Sequence, residues 1–326
     1  MRANALDVRD LVVSHPRMTL PAIDRVSAHV APGRTLAVVG PSGAGKSTLL
    51  RAICGLLPIS SGDVIIGGRS VVREAPQQRR AAMVFAHDAL VRTMTIRQNL
   101  RMVARAVLHA ARIEEVAAAL DIGRHLDSYP TSLSTGERQR ASIARALLSD
   151  PDVLLLDEPL APLDPDLRIR VRDEIVHVRE RFAGPIIFVT HDHADAMAVA
   201  DDLLVLIDGR MHDGGDPQRV YDRPKTVGVA RLFGSRPMNL IPGRAFGWND
   251  GIAGFRPERA RLALDGGVFR GAVERVERTG ADLYVHLTTE YGRVAVRIAT
   301  AQTLPAGEYF IDVAANDLCR FDASDE

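Results

Sequence analysis

Apolar positions in this chain follow two rhythms. Leu6 to Ser14 and Val26 to Val30 alternate with a period near two, as strands with one buried face do. After the Pro32-Gly33 turn, Thr35 to Val39 is almost wholly apolar, which predicts a strand buried on both faces. Similar runs at Ala81 to Phe85, Val153 to Leu156, Ile186 to Thr190 and Leu203 to Ile207 predict more of the same sheet. Between them the period lengthens. Thr48 to Ile53 reads as a helix ended by Gly55 and Pro58, and Pro165 to Phe182 and Ala194 to Ala200 read as two more. From Thr95 to Leu126, Ile96, Leu100 and Val103 recur at i, i+4 and i+7, followed by Ile113, Val116 and Leu120, which predicts a helical insert. Gly67-Gly68 between apolar pairs in Gly62 to Val72 predicts a hairpin. Strands alternating with helices predict an α/β domain with a mostly parallel, covered sheet.

Beyond Pro237 the helical rhythm stops. Short strand-like runs (Gly271 to Val276, Leu283 to Leu287, Arg293 to Ile298, Glu308 to Val313) are punctuated by Gly and Pro. The expected organisation is an α/β domain over 1–235, with a helical subdomain at about 93–150, followed by a small β domain over 236–326.

With 46% apolar residues among 326, the chain can form a large core, and a formal net charge of +0 gives no support to a polyanionic partner. Cys54 and Cys319 have no C-x-x-C partner, so neither a disulfide framework nor a zinc site is expected. The opening MRANALDVRD has no apolar stretch of a secretory signal, and no run approaches the ~18 to 20 apolar residues that cross a bilayer.

The chemistry starts at TLAVVGPSGAGKSTLL, Thr35 to Leu50. A buried strand, a glycine-rich loop and a helix opening at Lys46 fit the pattern G-x-x-x-x-G-K-[ST] in its required setting. Loop amides and the helix start favour anionic oxygens, so Gly40, Pro41, Ser42, Gly43, Ala44, Gly45, Lys46, Ser47 and Thr48 are the candidate cradle for a polyphosphate, with Lys46 on the β- and γ-phosphates and Ser47 on Mg²⁺; the loop alone leaves kinases, GTPases and ATPases open. In LLLDEP, Asp157 at a strand end is a second candidate Mg²⁺ ligand and Glu158 a base toward water; two solvated acids before Pro159 is the plainer reading of that dipeptide alone. Ser134 and Glu137 have capping-box spacing, and Ser134 with Gly136 at that helix start makes a second anion site. Asp164 before Pro165 is a natural N-cap.

Taken in order, GPSGAGKST, LSTGERQR, VLLLDEP, APLD and VTHD resemble the nucleotide-binding subunit of ATP-binding cassette (ABC) transporters over most of the first domain. The resemblance implies a P-loop NTPase fold of the ABC type. It implies a head-to-tail homodimer in which Ser134, Gly136 and Glu137 of one copy cover the γ-phosphate held by the other. His191 in VTHD matches the switch histidine that touches the γ-phosphate, and Asp164 matches a loop crossing the dimer interface. FGSRPMNLIPG and GFRPERARL are similar to importer ATPases of the sugar and glycerol-phosphate type, whose C-terminal domain is an OB-like (TOBE-like) regulatory barrel. The implied protein hydrolyses ATP with Mg²⁺ at the cytoplasmic face of the inner membrane as a peripheral subunit. Its partners would be transmembrane permease subunits and, indirectly, an extracytoplasmic solute-binding protein, with no nucleic acid. A P-loop kinase leaves LSTGERQR and VTHD unexplained, and nucleic-acid factors of this class typically carry a long coiled coil or a second cassette.

Thr135 replaces the family's usual glycine, and Glu137 its common glutamine. The stretch aligned with Ser14 to Thr19 offers His15 and Arg17 but no aromatic for adenine, and Arg17 can stack only by its guanidinium plane. Where the family places a glutamine that meets Mg²⁺ or water and the permease, this chain has Ala86, followed by His87 and Asp88. Alanine neither ligates nor donates a hydrogen bond, so the expectation is a slower or differently coupled ATPase. Ala86→Gln, assayed for hydrolysis and transport with the permease present, should change the rate; both unchanged would refute the expectation.

Overall fold

The computed structural model describes residues 4–15, 19–85, 90–103, 109–161, 163–280, 282–299 and 307–322. The chain divides into two compact units, Met1–Pro217 and Gln218–Glu326.

The first unit opens with β1 (Leu6–Val13), β2 (Ile23–Val30) and β3 (Thr35–Val39), then α1 (Lys46–Cys54), β4 (Ser61–Ile66), β5 (Arg69–Ser70) and β6 (Ala81–Val84). Three helices follow, α2 (Ile96–Arg101), α3 (His109–Ala119) and α4 (Thr135–Leu148). The unit continues through β7 (Val153–Asp157), α5 (Pro165–Arg181), β8 (Ile186–Val189), α6 (His193–Val199), β9 (Asp202–Ile207) and β10 (Arg210–Gly215). Its main sheet runs β10-β9-β3-β8-β7-β6, parallel throughout except for the β9-β10 pair. The apolar runs are its centre: every residue of β3, β7 and β8 is buried. A separate antiparallel sheet, β2-β1-β4-β5, packs with α1 and the parallel sheet into one core through Leu6, Leu11, Ile23, Leu50, Ile53 and Leu155. Placing β3 between β8 and β9 sets the loop after β3 beside the C-terminal ends of β7 and β8, where α/β sheets hold their ligands.

The helical insert divides into α2 and α3, with α4 packed on both. Ile96, Leu100, Ile113 and Leu120 are buried, as their spacing predicts. Asn99 is buried too and its side-chain amide bonds Val91, Met94 and Thr95, fixing the turn into α2. Strand β10 has no sequence expectation behind it: RMHDGG lacks alternation, and pairing with β9 builds it.

The boundary falls inside α7 (Pro217–Asp222), so the second unit holds nearly all of α7 and α8 (Val227–Leu232), ahead of the residue-235 boundary expected from the change of pattern. The reason is Arg256, a buried guanidinium that donates to the carbonyls of Tyr221, Ala230 and Phe233 and stacks over the Tyr221 ring at 4.1 Å. Leaving a buried cation without the carbonyls that satisfy it costs about 1–3 kcal/mol or more. Two antiparallel sheets complete the unit. One is β11 (Asn239–Pro242), β12 (Ile252–Phe255) and β18 (Cys319–Phe321). The other runs β13 (Ala260–Ala263), β17 (Glu308–Val313), β14 (Phe269–Thr279), β15 (Asp282–Thr289) and β16 (Gly292–Ala299). A core of Phe255, Phe269, Leu283, Val285, Val296 and Ile311 lies within this unit, giving a small barrel-like β domain.

Candidate functional site

The loop between β3 and α1 curls because it has no alternative. A Cβ on Gly40 would stand 2.0 Å from the Leu206 carbonyl oxygen of β9. Gly45, at φ 99°, caps α1 in a left-handed conformation and would collide with the Ala22 carbonyl at 2.5 Å. Pro41, Ser42 and Gly43 are exposed at the loop's tip, Ala44 is buried and ties its carbonyl to the Gly209 amide, and Thr48 lies in the first turn of α1. Lys46 is buried, and its Nζ donates to the carbonyls of Gly40 and Pro41, each at 2.9 Å, closing the loop over the helix start. Burial pushes its ammonium below the ordinary lysine range, while Glu158 and Asp157 pull it back.

Ser47 Oγ donates to Asp157 Oδ1 at 2.8 Å, joining α1 to the end of β7. Asp157 is buried, and burial raises its carboxyl above the ordinary 3.8 despite the Ser47 bond and the charges of Arg51 and Lys46. Glu158 leaves the strand in a left-handed conformation, φ 48°, with its amide on the Val189 carbonyl of β8. A non-glycine residue there is strained, and the turn aims the side chain at the loop after β8. There His191 Nδ1 lies 3.1 Å from Glu158 Oε2. A carboxylate only accepts, so Nδ1 carries the proton and Nε2 is left for another partner. Lys46, Ser47, Asp157, Glu158 and His191 thus come together around one loop.

Ser134, Gly136 and Glu137 sit elsewhere, at the start of α4. Ser134 caps the helix and Glu137 reciprocates in a capping box. Gly136 is buried against Leu167 of α5, where an added Cβ would lie 2.5 Å from a Leu167 methyl. Asp164 caps α5 by accepting from the Leu167 amide at 3.0 Å. No described hydrogen bond or ion pair joins this trio to residues 40–48, Glu158 or His191. His15 is exposed, whereas Arg17, Ala86, His87 and Asp88 lie outside the described residues.

Arg168 belongs to this neighbourhood and sequence reasoning passed over it. From α5 it reaches Asp192, beside His191, at 2.9 Å and Asp195 of α6 at 2.6 Å. An arginine within a helix reads as a solvated face; only its position four residues after the Asp164 cap hinted otherwise.

Comparison with known proteins identifies the family. A family model described as "ABC transporter" matches residues 23–161. An sn-glycerol-3-phosphate import ATP-binding protein of Rhizobium etli is 41% identical over 87% of this chain and 86% of its own length. One from Rhodopseudomonas palustris is 38% identical over 94% of this chain and 91% of its own. Among solved structures, cbiO1 from Clostridium perfringens, part of the ABC transporter complex cbiONQ, superposes with a TM-score of 0.62 at 26% identity, covering 68% of this chain and 91% of that one.

Asp157 supplies a test of the site's electrostatics. A carboxyl held above 3.8 in the fold favours the folded chain fully below 3.8, and that contribution is lost as pH rises through the raised value. Asp157→Asn removes the loss. Without nucleotide or Mg²⁺, its urea midpoint should exceed the parent's at pH 8, by a margin that shrinks as pH falls toward 3.8. A variant less stable than the parent at pH 8 would contradict this.

Proposed function

The chain belongs to the ATP-binding proteins of ABC transporters, which are ATP hydrolases, and we propose that it is the peripheral subunit driving an importer of the sugar or glycerol-phosphate class. Among the described residues no helix is long and apolar enough to cross a membrane. Solute would therefore cross through separate permease subunits, fed by an extracytoplasmic binding protein, with this chain at the cytoplasmic face. The likeness to the glycerol-phosphate import proteins supports the solute class. The second unit would be the regulatory OB/TOBE-like barrel of that importer branch.

One observation carries the mechanism: two helix starts suited to anions, α1 and α4, lie in one chain with no described bond between them. A head-to-tail dimer makes each half useful. Lys46 and the loop amides of one copy would hold the phosphates of ATP, and Ser134, with the amides around Gly136, would close over the γ-phosphate from the other. Asp164 would lie along that interface. Glu158 would accept the proton of the attacking water, and His191, fixed by its Nδ1–H bond to Glu158, would reach a γ-phosphate oxygen through Nε2 only with a hydrogen on Nε2 as well, because the phosphate oxygen only accepts. Ser47 and Asp157 fit Mg²⁺, since they are hard oxygen donors 2.8 Å apart and burial keeps the Asp157 carboxyl raised even with the charges of Arg51 and Lys46 nearby. When bound, Mg²⁺ would neutralise phosphate charge. Loss of the γ-phosphate would remove the bridge between copies, and the opening and closing would be transmitted to the permease.

Glu158→Gln keeps the side chain's shape and removes the base. With ATP and Mg²⁺ it should form a stable species of twice the chain's mass by light scattering, with hydrolysis reduced at least about a hundredfold. A variant that stays monomeric at saturating ATP, where the parent hydrolyses in complex with its permease, would count against the clamp.

A further inference from the structure

Reading α4 as the seat for a phosphate brought by a second copy leaves a charge to account for. Glu137 folds back over the helix start, where its Oε2 accepts from the Ser134 amide and from Ser134 Oγ, both at 2.9 Å. A carboxylate therefore lies on the very groups a phosphate would approach, and like charges repel. Its other oxygen faces the 3-10 turn Gly123–His125, with His125 Nε2 at 2.9 Å and Arg124 Nη2 at 3.6 Å. His125 Nε2 also lies 2.9 Å from Arg124 Nε. These contacts are alternatives on one nitrogen: protonated, it donates to Glu137; bare, it accepts from Arg124. In both arrangements a cation or an N–H donor stands against the carboxylate. The Ser134 amide, helped by the charges of His125 and Arg140, holds the Glu137 carboxyl below the ordinary 4.5, so it is an anion at neutral pH.

We propose that Arg124 and His125 are positioning residues for the α4 start: they hold Glu137 through Oε1 and cancel its charge, so that a γ-phosphate from a second copy can displace Oε2 from the Ser134 donors. A glutamine at 137 would need no such pair. The proposal rests on the two-copy reading above and adds to it a specific requirement of this chain.

A double-mutant cycle tests it in full-length protein carrying Glu158→Gln, reading the ATP concentration that gives half-maximal dimer. Arg124→Ala with His125→Ala should raise that concentration about tenfold at low salt, and less at high salt, because the exposed repulsion is screened. Against Glu137→Gln the same pair should cost less than about twofold, since the charge it answers is gone. A penalty that is undiminished in the Glu137→Gln background, or insensitive to salt, would overturn the proposal. Arg124→Met with His125→Leu, which retain bulk without a donor, replace the alanine pair if melting shows that it fails to fold. Ser134→Arg separates the two levels. If that variant still dimerises with ATP, the two-copy reading fails. If it does not, and the Arg124/His125 pair costs nothing, only the present inference fails.

Discussion

Asp157 ends a fully buried strand, and an ionised carboxylate in such a place holds only beside donors or cations. The structure gives it Ser47 Oγ directly and the charges of Lys46 and Arg51 at longer range, and the carboxyl remains displaced above its ordinary range. That residual demand for positive charge ties the first helix to the sheet. Lys46 meets a related constraint in reverse, a buried ammonium satisfied by the Gly40 and Pro41 carbonyls. Both groups would gain from a polyphosphate with a divalent cation, which would bring negative charge to the lysine and positive charge to the aspartate. The glycines at 40 and 45 are the geometric condition for this, because the neighbouring backbones leave no room for a Cβ.

Helix α5 connects the parts. Its N-cap is Asp164, its first turn covers Gly136 at the start of α4, and its Arg168 holds Asp192 beside His191. Packing thus links the α4 start, through α5, to the loop that carries His191. In the proposed clamp, contact of a second copy with Ser134 would be communicated to the hydrolytic residues over a packed helix rather than through solvent.

Much of the first unit was legible because continuous apolar runs and a capped helix start are local signals: β3, β7 and β8 are buried end to end, and Ser134 with Glu137 forms the capping box that its spacing implies. What escaped was set by partners distant in sequence. Strand β10 exists because β9 offers it an edge. The helices at 217–232 join the second unit because Arg256, far along the chain, binds their carbonyls. The Arg168 bridge and the left-handed Glu158 likewise depend on tertiary neighbours. Motif order singled out Lys46, Ser47, Asp157, Glu158 and His191, which the fold brings around one loop, but no local pattern could reveal that Glu137 would be flanked by Arg124 and His125.

In the proposed clamp each nucleotide seat is shared between two copies. Cys54 and Cys319 are both buried, so cysteines introduced on the two half-sites can report on it. In a chain carrying Ser42→Cys and Thr135→Cys, oxidation with ATP and Mg²⁺ should join the loop of one copy to the α4 start of another, and peptide mapping should find the two introduced thiols bonded to each other across two chains. No such disulfide with ATP, or one formed equally without it, would contradict the shared seat.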